Sequence, residues 1–126
     1  MRSVDASLLV AALAGGPGAP AAEAFIRGEG PVWISLVVLA ETVRVLEGGY
    51  GCTREQLGAA LDRILDNRDL VVEDPAVALA AAERFKAGVD FEDALALEAA
   101  RRAGHLPMAT LRGSLGDVAG AFVPGA

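Results

Sequence analysis

The sequence predicts an α/β domain: a short, mostly parallel sheet flanked by helices. Two observations carry this. Five short strand-like segments alternate with longer stretches of helical spacing, the pattern of βαβ units. The chain is also 126 residues long with 53% hydrophobic and 22% charged residues, enough for one core and too short for two. A sheet of this kind is expected to be covered on both faces. With no internal repeat, linker or low-complexity tail, residues 1–126 read as a single domain.

The strand-like segments are Arg2 to Val4, Val32 to Ile34, Leu70 to Val72, Leu106 to Ala109, and Ala121 to Val123. The first helix is expected from Ala6 to the breaker Gly15-Gly16-Pro17-Gly18, and a second from about Ala21 to Arg27. Ser35 is the expected N-cap of a third, which Gly48-Gly49 is expected to stop. Thr53 with Gln56 makes a capping box for the fourth, whose Leu57, Ala60, Leu61, Ile64 and Leu65 share one face. Pro75 opens the fifth and Gly88 follows its end. The sixth is "VDFEDALALEAARRAG", acidic at its start and then nearly all apolar.

The charge balance excludes one class of function. Acids outnumber bases 17 to 11, a net charge of −6, which argues against a nucleic-acid binder working through bulk positive charge. A nucleic-acid enzyme with clustered carboxylates and a few arginines remains open. All the bases but Lys86 are arginine, the better phosphate clamp. Cys52 is alone, so no disulfide framework exists and a reducing cytosol fits. Arg2 followed by an apolar stretch resembles a signal peptide, but Asp5 precedes only a short apolar run, so we read a strand and helix. No stretch reaches the roughly 18 apolar residues of a membrane span, and a cytoplasmic protein is the expectation.

Sites in open α/β sheets form beyond the carboxyl ends of the strands. Asp5 stands there, directly after the first strand, either as a helix cap or as a site group, and is expected near the core. Glu41 has Val37 and Val38 one turn before it and Val45 one turn after, so it needs a partner; Arg44 or a metal are the alternatives. Asp90 caps the sixth helix, and Asp93 either closes a capping box or joins a site beside Ala94, Leu97 and Ala100. Glu92 points about 100° away and belongs to the surface.

Three acids from separate chain regions repel unless a cation neutralises them, and hard oxygen donors suit Mg²⁺ or Mn²⁺. Zinc is not expected, because neither His105 nor Cys52 has a companion. No Gly-rich phosphate loop is present.

The stretches "VDASLLVAAL", "LAETVRVL", "DFEDALALEAARRAG" and "LPMATLRGSL", in this order, resemble PIN-domain proteins, most closely the VapC toxins of toxin–antitoxin pairs. The resemblance covers nearly the whole chain. It implies a three-layer PIN-like fold, endoribonuclease activity with Mg²⁺ or Mn²⁺, a cognate antitoxin, an RNA substrate and a homodimer. By motif, Asp5, Glu41 and Asp93 resemble the catalytic acids: Asp5 and Asp93 as metal ligands, Glu41 beside the attacking water. Asp90 is accessory, and Ser7 is placed to hydrogen-bond Asp5 or a metal-bound water.

The chain departs from the motif at Thr110-Leu111-Arg112, where the family commonly carries an acid in place of Arg112. A guanidinium there is expected to pair with Asp93 or Asp5 and to weaken metal binding. The alternative function is therefore a degenerate PIN domain, weakly active or inactive, serving as an antitoxin- or RNA-binding module. A phospho-accepting receiver domain ranks last, since it needs a lysine late in the chain and Lys86 lies well before the last two strands.

Overall fold

The computed structural model describes residues 1–28 and 30–125. In chain order it contains β1 (Arg2–Ser3), α1 (Ala6–Ala14), α2 (Ala19–Ile26), β2 (Val32–Ile34), α3 (Leu36–Tyr50) and α4 (Arg54–Asp66). These are followed by β3 (Leu70–Val72), α5 (Pro75–Lys86), α6 (Phe91–Ala103), β4 (Met108–Ala109), α7 (Gly113–Gly116) and β5 (Ala121–Phe122). Strands β1, β2 and β3 pair in that order and in parallel, with Arg2, Val32 and Leu70 in register; β4 and β5 form a separate parallel pair. This is the expected α/β fold, with its sheet in two pieces.

Local chemistry accounts for most helix ends. The Ser35 hydroxyl accepts the Val38 N–H at 3.1 Å. Thr53 and Gln56 form the full reciprocal box, at 3.1 and 2.8 Å. Helix α2 starts at Ala19, two residues before its expected start, because Pro20 is accommodated in a first turn. Helix α3 does not stop at Gly48-Gly49. It runs on to Tyr50 and exits through Gly51, at φ +65°, where the N–H groups of Gly51 and Cys52 both turn back to the Leu46 carbonyl. Two glycines cost a helix about 1 kcal/mol each relative to alanine; burial of Val43 and Leu46 against the core offsets it. The short α7 had no distinct signal in its Gly-Ser-Leu-Gly sequence.

One core joins α1, α3, α4, α5 and α6 to the buried sheet residues Ile34 and Val72. The sheet is covered unevenly. Val32, Ile34 and Val72 are buried, whereas Ser3, Trp33 and Val71, in register on the opposite face, are exposed. The α5–α6 pair is closed by an edge-to-face contact of Phe85 and Phe91, with ring centres 6.0 Å apart.

Two arginines are structural pegs. Arg2 donates to the carbonyls of Phe25 and Gly30 at 2.6 and 2.8 Å and stacks on the Phe25 ring. Arg54 stacks on Phe85 and donates to the Phe85 and Val89 carbonyls. Among the described residues no single helix is long and apolar enough to cross a membrane. Helices α1 and α2 together pass on length and composition, but they bend by 110° and bury Leu9, Val10, Ala22 and Ile26 inside the fold.

Candidate acidic site

Asp5 leaves β1 in extended conformation and caps α1, its Oδ1 accepting the Leu8 N–H at 3.3 Å. The Ser7 hydroxyl donates to the same oxygen at 2.6 Å, the first of the two roles that the family resemblance implied for it. The carboxylate is exposed, not close to the core as expected, because the cap turns it outward over the first turn. The Ser7 hydroxyl, helped by the Leu8 N–H, holds the Asp5 carboxyl below the ordinary aspartate range.

Since the folded-state value is the depressed one, this contribution to stability is present at neutral pH and is lost as pH falls through that value. Ser7→Ala is expected to move the Asp5 carboxyl titration upward, followed by carbon NMR. An unmoved titration means that the hydroxyl is not the cause.

Glu41 lies on α3 but not in a buried stripe. The buried positions are Leu39, Thr42, Val43 and Leu46; Glu41 shares its edge with Val37 and Arg44, which are exposed. The apolar neighbours in sequence therefore enclose it on one side only. Arg44 is not its partner. That guanidinium reaches across to Glu92, joining α3 to the start of α6, so Glu92 is a surface group with a specific partner. Among the described residues, no hydrogen bond or ion pair engages the Glu41 carboxylate.

Asp90 caps α6 by accepting the Asp93 N–H at 3.1 Å. Among the described residues the return bond that would complete a capping box is not found; the Asp93 side chain turns instead to Arg112. Asp93 is largely covered, with 15% of its side chain exposed, beside the buried Ala94 and Leu97. The Arg112 guanidinium lies against its Oδ1. Thr110 contributes through Oγ1, which accepts the Arg112 N–H at 3.1 Å. Of the two partners expected for Arg112, the fold selects Asp93.

One residue was missed. Glu73 follows β3 as Asp5 follows β1, and its Oε1 accepts the Leu36 N–H at 2.9 Å, anchoring the first turn of the helix that carries Glu41. Its place at a strand's carboxyl end was the available signal.

The residue types suit a hard divalent cation, but their arrangement does not. Among the described residues no three Asp, Glu, His or Cys groups gather to hold an ion. Asp5 is committed to Ser7 and its cap, Asp93 to Arg112, and Glu41 faces outward.

The PIN-domain family model matches residues 3–106. The matched region includes Asp5, Ser7, Glu41, Asp90 and Asp93 and stops before Thr110 and Arg112, where the chain leaves the motif. No curated protein and no solved structure matches the chain. With most of its length matched and a short parallel sheet flanked by helices, the chain belongs to the PIN-domain family, whose fold is of the nuclease type.

Proposed function

We propose that this PIN domain is an endoribonuclease using Mg²⁺ or Mn²⁺, and that it is the cytoplasmic toxin of a toxin–antitoxin pair, acting as a homodimer. The observation that supports this reading best is that Asp5, Glu41 and Asp93, the acids to which the resemblance points, all lie within the matched region, with the Glu41 carboxylate exposed and unengaged among the described residues. Glu41 takes a proton from the attacking water. Asp5, whose carboxyl Ser7 holds below the ordinary range, and Asp93 would be the groups to hold a divalent ion, which would make the attacking water more acidic; in this fold Asp93 is paired with Arg112. The net charge of −6 leaves RNA attraction to the cation and a few arginines.

The test is cleavage of total cellular RNA by the full chain with and without Mn²⁺, beside Asp5→Asn and Asp93→Asn. Manganese-dependent cleavage lost in both variants is the expected result. Equal cleavage by all three proteins rejects the site. Rescue of growth by the product of an adjacent small gene tests the antitoxin.

The Arg112–Asp93 ion pair favours a second reading, a degenerate domain that binds RNA or an antitoxin without cutting. It predicts RNA retention in a gel-shift assay with no cleavage at any Mn²⁺ concentration.

A further inference from the structure

We propose that Arg112 is a phosphate-binding residue for RNA: Asp93 holds its guanidinium by one N–H, the other N–H groups receive a phosphodiester, and Leu111 beside it meets the base. The proposal rests on RNA as the ligand, which both readings above share, and it needs no metal.

The main chain that presents Arg112 is held on both sides. Its N–H is accepted by Thr110 Oγ1 at 3.1 Å, and its carbonyl accepts the Gly116 N–H at 3.0 Å, which makes it the N-cap residue of α7. Two unlike side chains stand out side by side from this anchored turn. Leu111 is 88% exposed, and the Arg112 side chain is 64% exposed. An aliphatic group next to a guanidinium matches a single nucleotide, whose base carries an apolar face close to its charged phosphate.

Asp93 sets how much of the guanidinium remains for a ligand. One N–H, on Nη2, reaches the Asp93 Oδ1; among the described residues Nε and Nη1 engage no partner. Depth orders the two charges. Asp93 sits in the first turn of α6 between the Asp90 cap and the buried Ala94 and Leu97, with 15% of its side chain exposed. The carboxylate therefore lies beneath and the guanidinium over it, so a phosphate arriving from solvent meets the arginine first. Asp93 is the positioning residue: it fixes the planar fork while leaving N–H groups for a bidentate contact.

Arg2, Arg54 and Arg84 are spent inside the fold, on carbonyls and on Glu98. In a chain of net charge −6, contact with a phosphate has to be local. Such a contact leaves a signature, because each phosphate neutralised on a single strand adds about 0.7 to the slope of log affinity against log salt.

Fluorescence anisotropy of a short labelled oligouridylate, titrated with the full chain in EDTA over a range of KCl concentrations, tests this. Arg112→Gln is expected to bind about fivefold more weakly at low salt, the scale of one exposed charged contact, and to flatten the salt slope by about 0.7. Arg112→Lys restores the slope but only part of the affinity, since one ammonium has to serve both Asp93 and the phosphate. Leu111→Ser binds more weakly with the slope unchanged. Arg27→Gln makes the same charge change in a separate cleft, beside Glu23 and Arg63, and is expected to bind as wild type does.

Clear binding by wild type with the same affinity and slope in Arg112→Gln overturns the clamp and leaves RNA as the ligand. An equal loss in Arg27→Gln also overturns it, because the effect is then one of net charge. Full affinity in Arg112→Lys overturns the fork held by Asp93, and wild-type affinity in Leu111→Ser overturns the base contact. Absence of binding by wild type at low salt rejects RNA as the ligand and the clamp with it.

Discussion

Glu41→Gln is expected to lower RNA cleavage by about 10²–10⁴-fold, the usual loss when a general base is removed. Stability should hold within about 0.5 kcal/mol, because the side chain is exposed and engages no partner among the described residues. The amide keeps the size of the carboxylate and loses only its ability to take a proton. Single-turnover cleavage of total cellular RNA, with thermal melting of both proteins, separates the two effects. Arg44→Gln is the control, since Arg44 pairs with Glu92 and not with Glu41. A Glu41→Gln protein that cuts at the wild-type rate leaves Glu41 as a surface group and removes it from the reaction.

The largest loss of stability is expected at a residue outside the acidic site. Glu98 is 7% exposed, a carboxylate packed among the apolar positions of α6. Its two oxygens are met by arginines from two directions, Arg84 Nε on α5 at 2.5 Å and Arg101 Nε on its own helix at 3.3 Å.

Glu98→Ala leaves the Arg84 guanidinium beside the α5–α6 seam without its counter-charge. Breaking a buried pair from one side costs about 3–5 kcal/mol. Arg84 and Arg101 keep partial access to water, so the lower figure applies here, about 3 kcal/mol. In a domain of this size that lowers the melting temperature by about 10 °C. Removing both partners, as Arg84→Met with Glu98→Leu, is expected to recover most of the loss, because two charges no longer need to be desolvated. Urea unfolding of the single and double variants reads the coupling. Additive losses would mean that the two side chains do not act as a pair.

Glu98 also marks where a linear reading stops. Its stretch reads as an apolar helix, and nothing nearby in sequence identifies a partner 14 residues away on another helix. The caps were legible because their chemistry is local. Ser35, Thr53 and Asp90 each bond a backbone N–H three residues on, at a spacing that helix geometry imposes. The end of α3 was misread, because the exit through Gly51 depends on Val43 and Leu46 being held by the core, which the Gly48-Gly49 pair does not reveal.

The acids divide in the same way. Their positions after β1, on α3 and at the start of α6 follow from element order, while the bond between Ser7 and Asp5, two residues apart, is one of the two roles the family resemblance implied for Ser7. Burial was harder. An amphipathic stripe gives an angle around the helix, while the side that meets the core depends on the neighbouring elements; this is why Glu41 is exposed and why Arg44 pairs with Glu92. The sequence by itself determined an α/β chain of PIN type and the order of Asp5, Glu41, Asp93 and Arg112 along it. Only the tertiary structure decided that Arg112 lies on Asp93 and not on Asp5, because an ion pair spanning 19 residues forms only after α6 and the β4–α7 turn have been packed together.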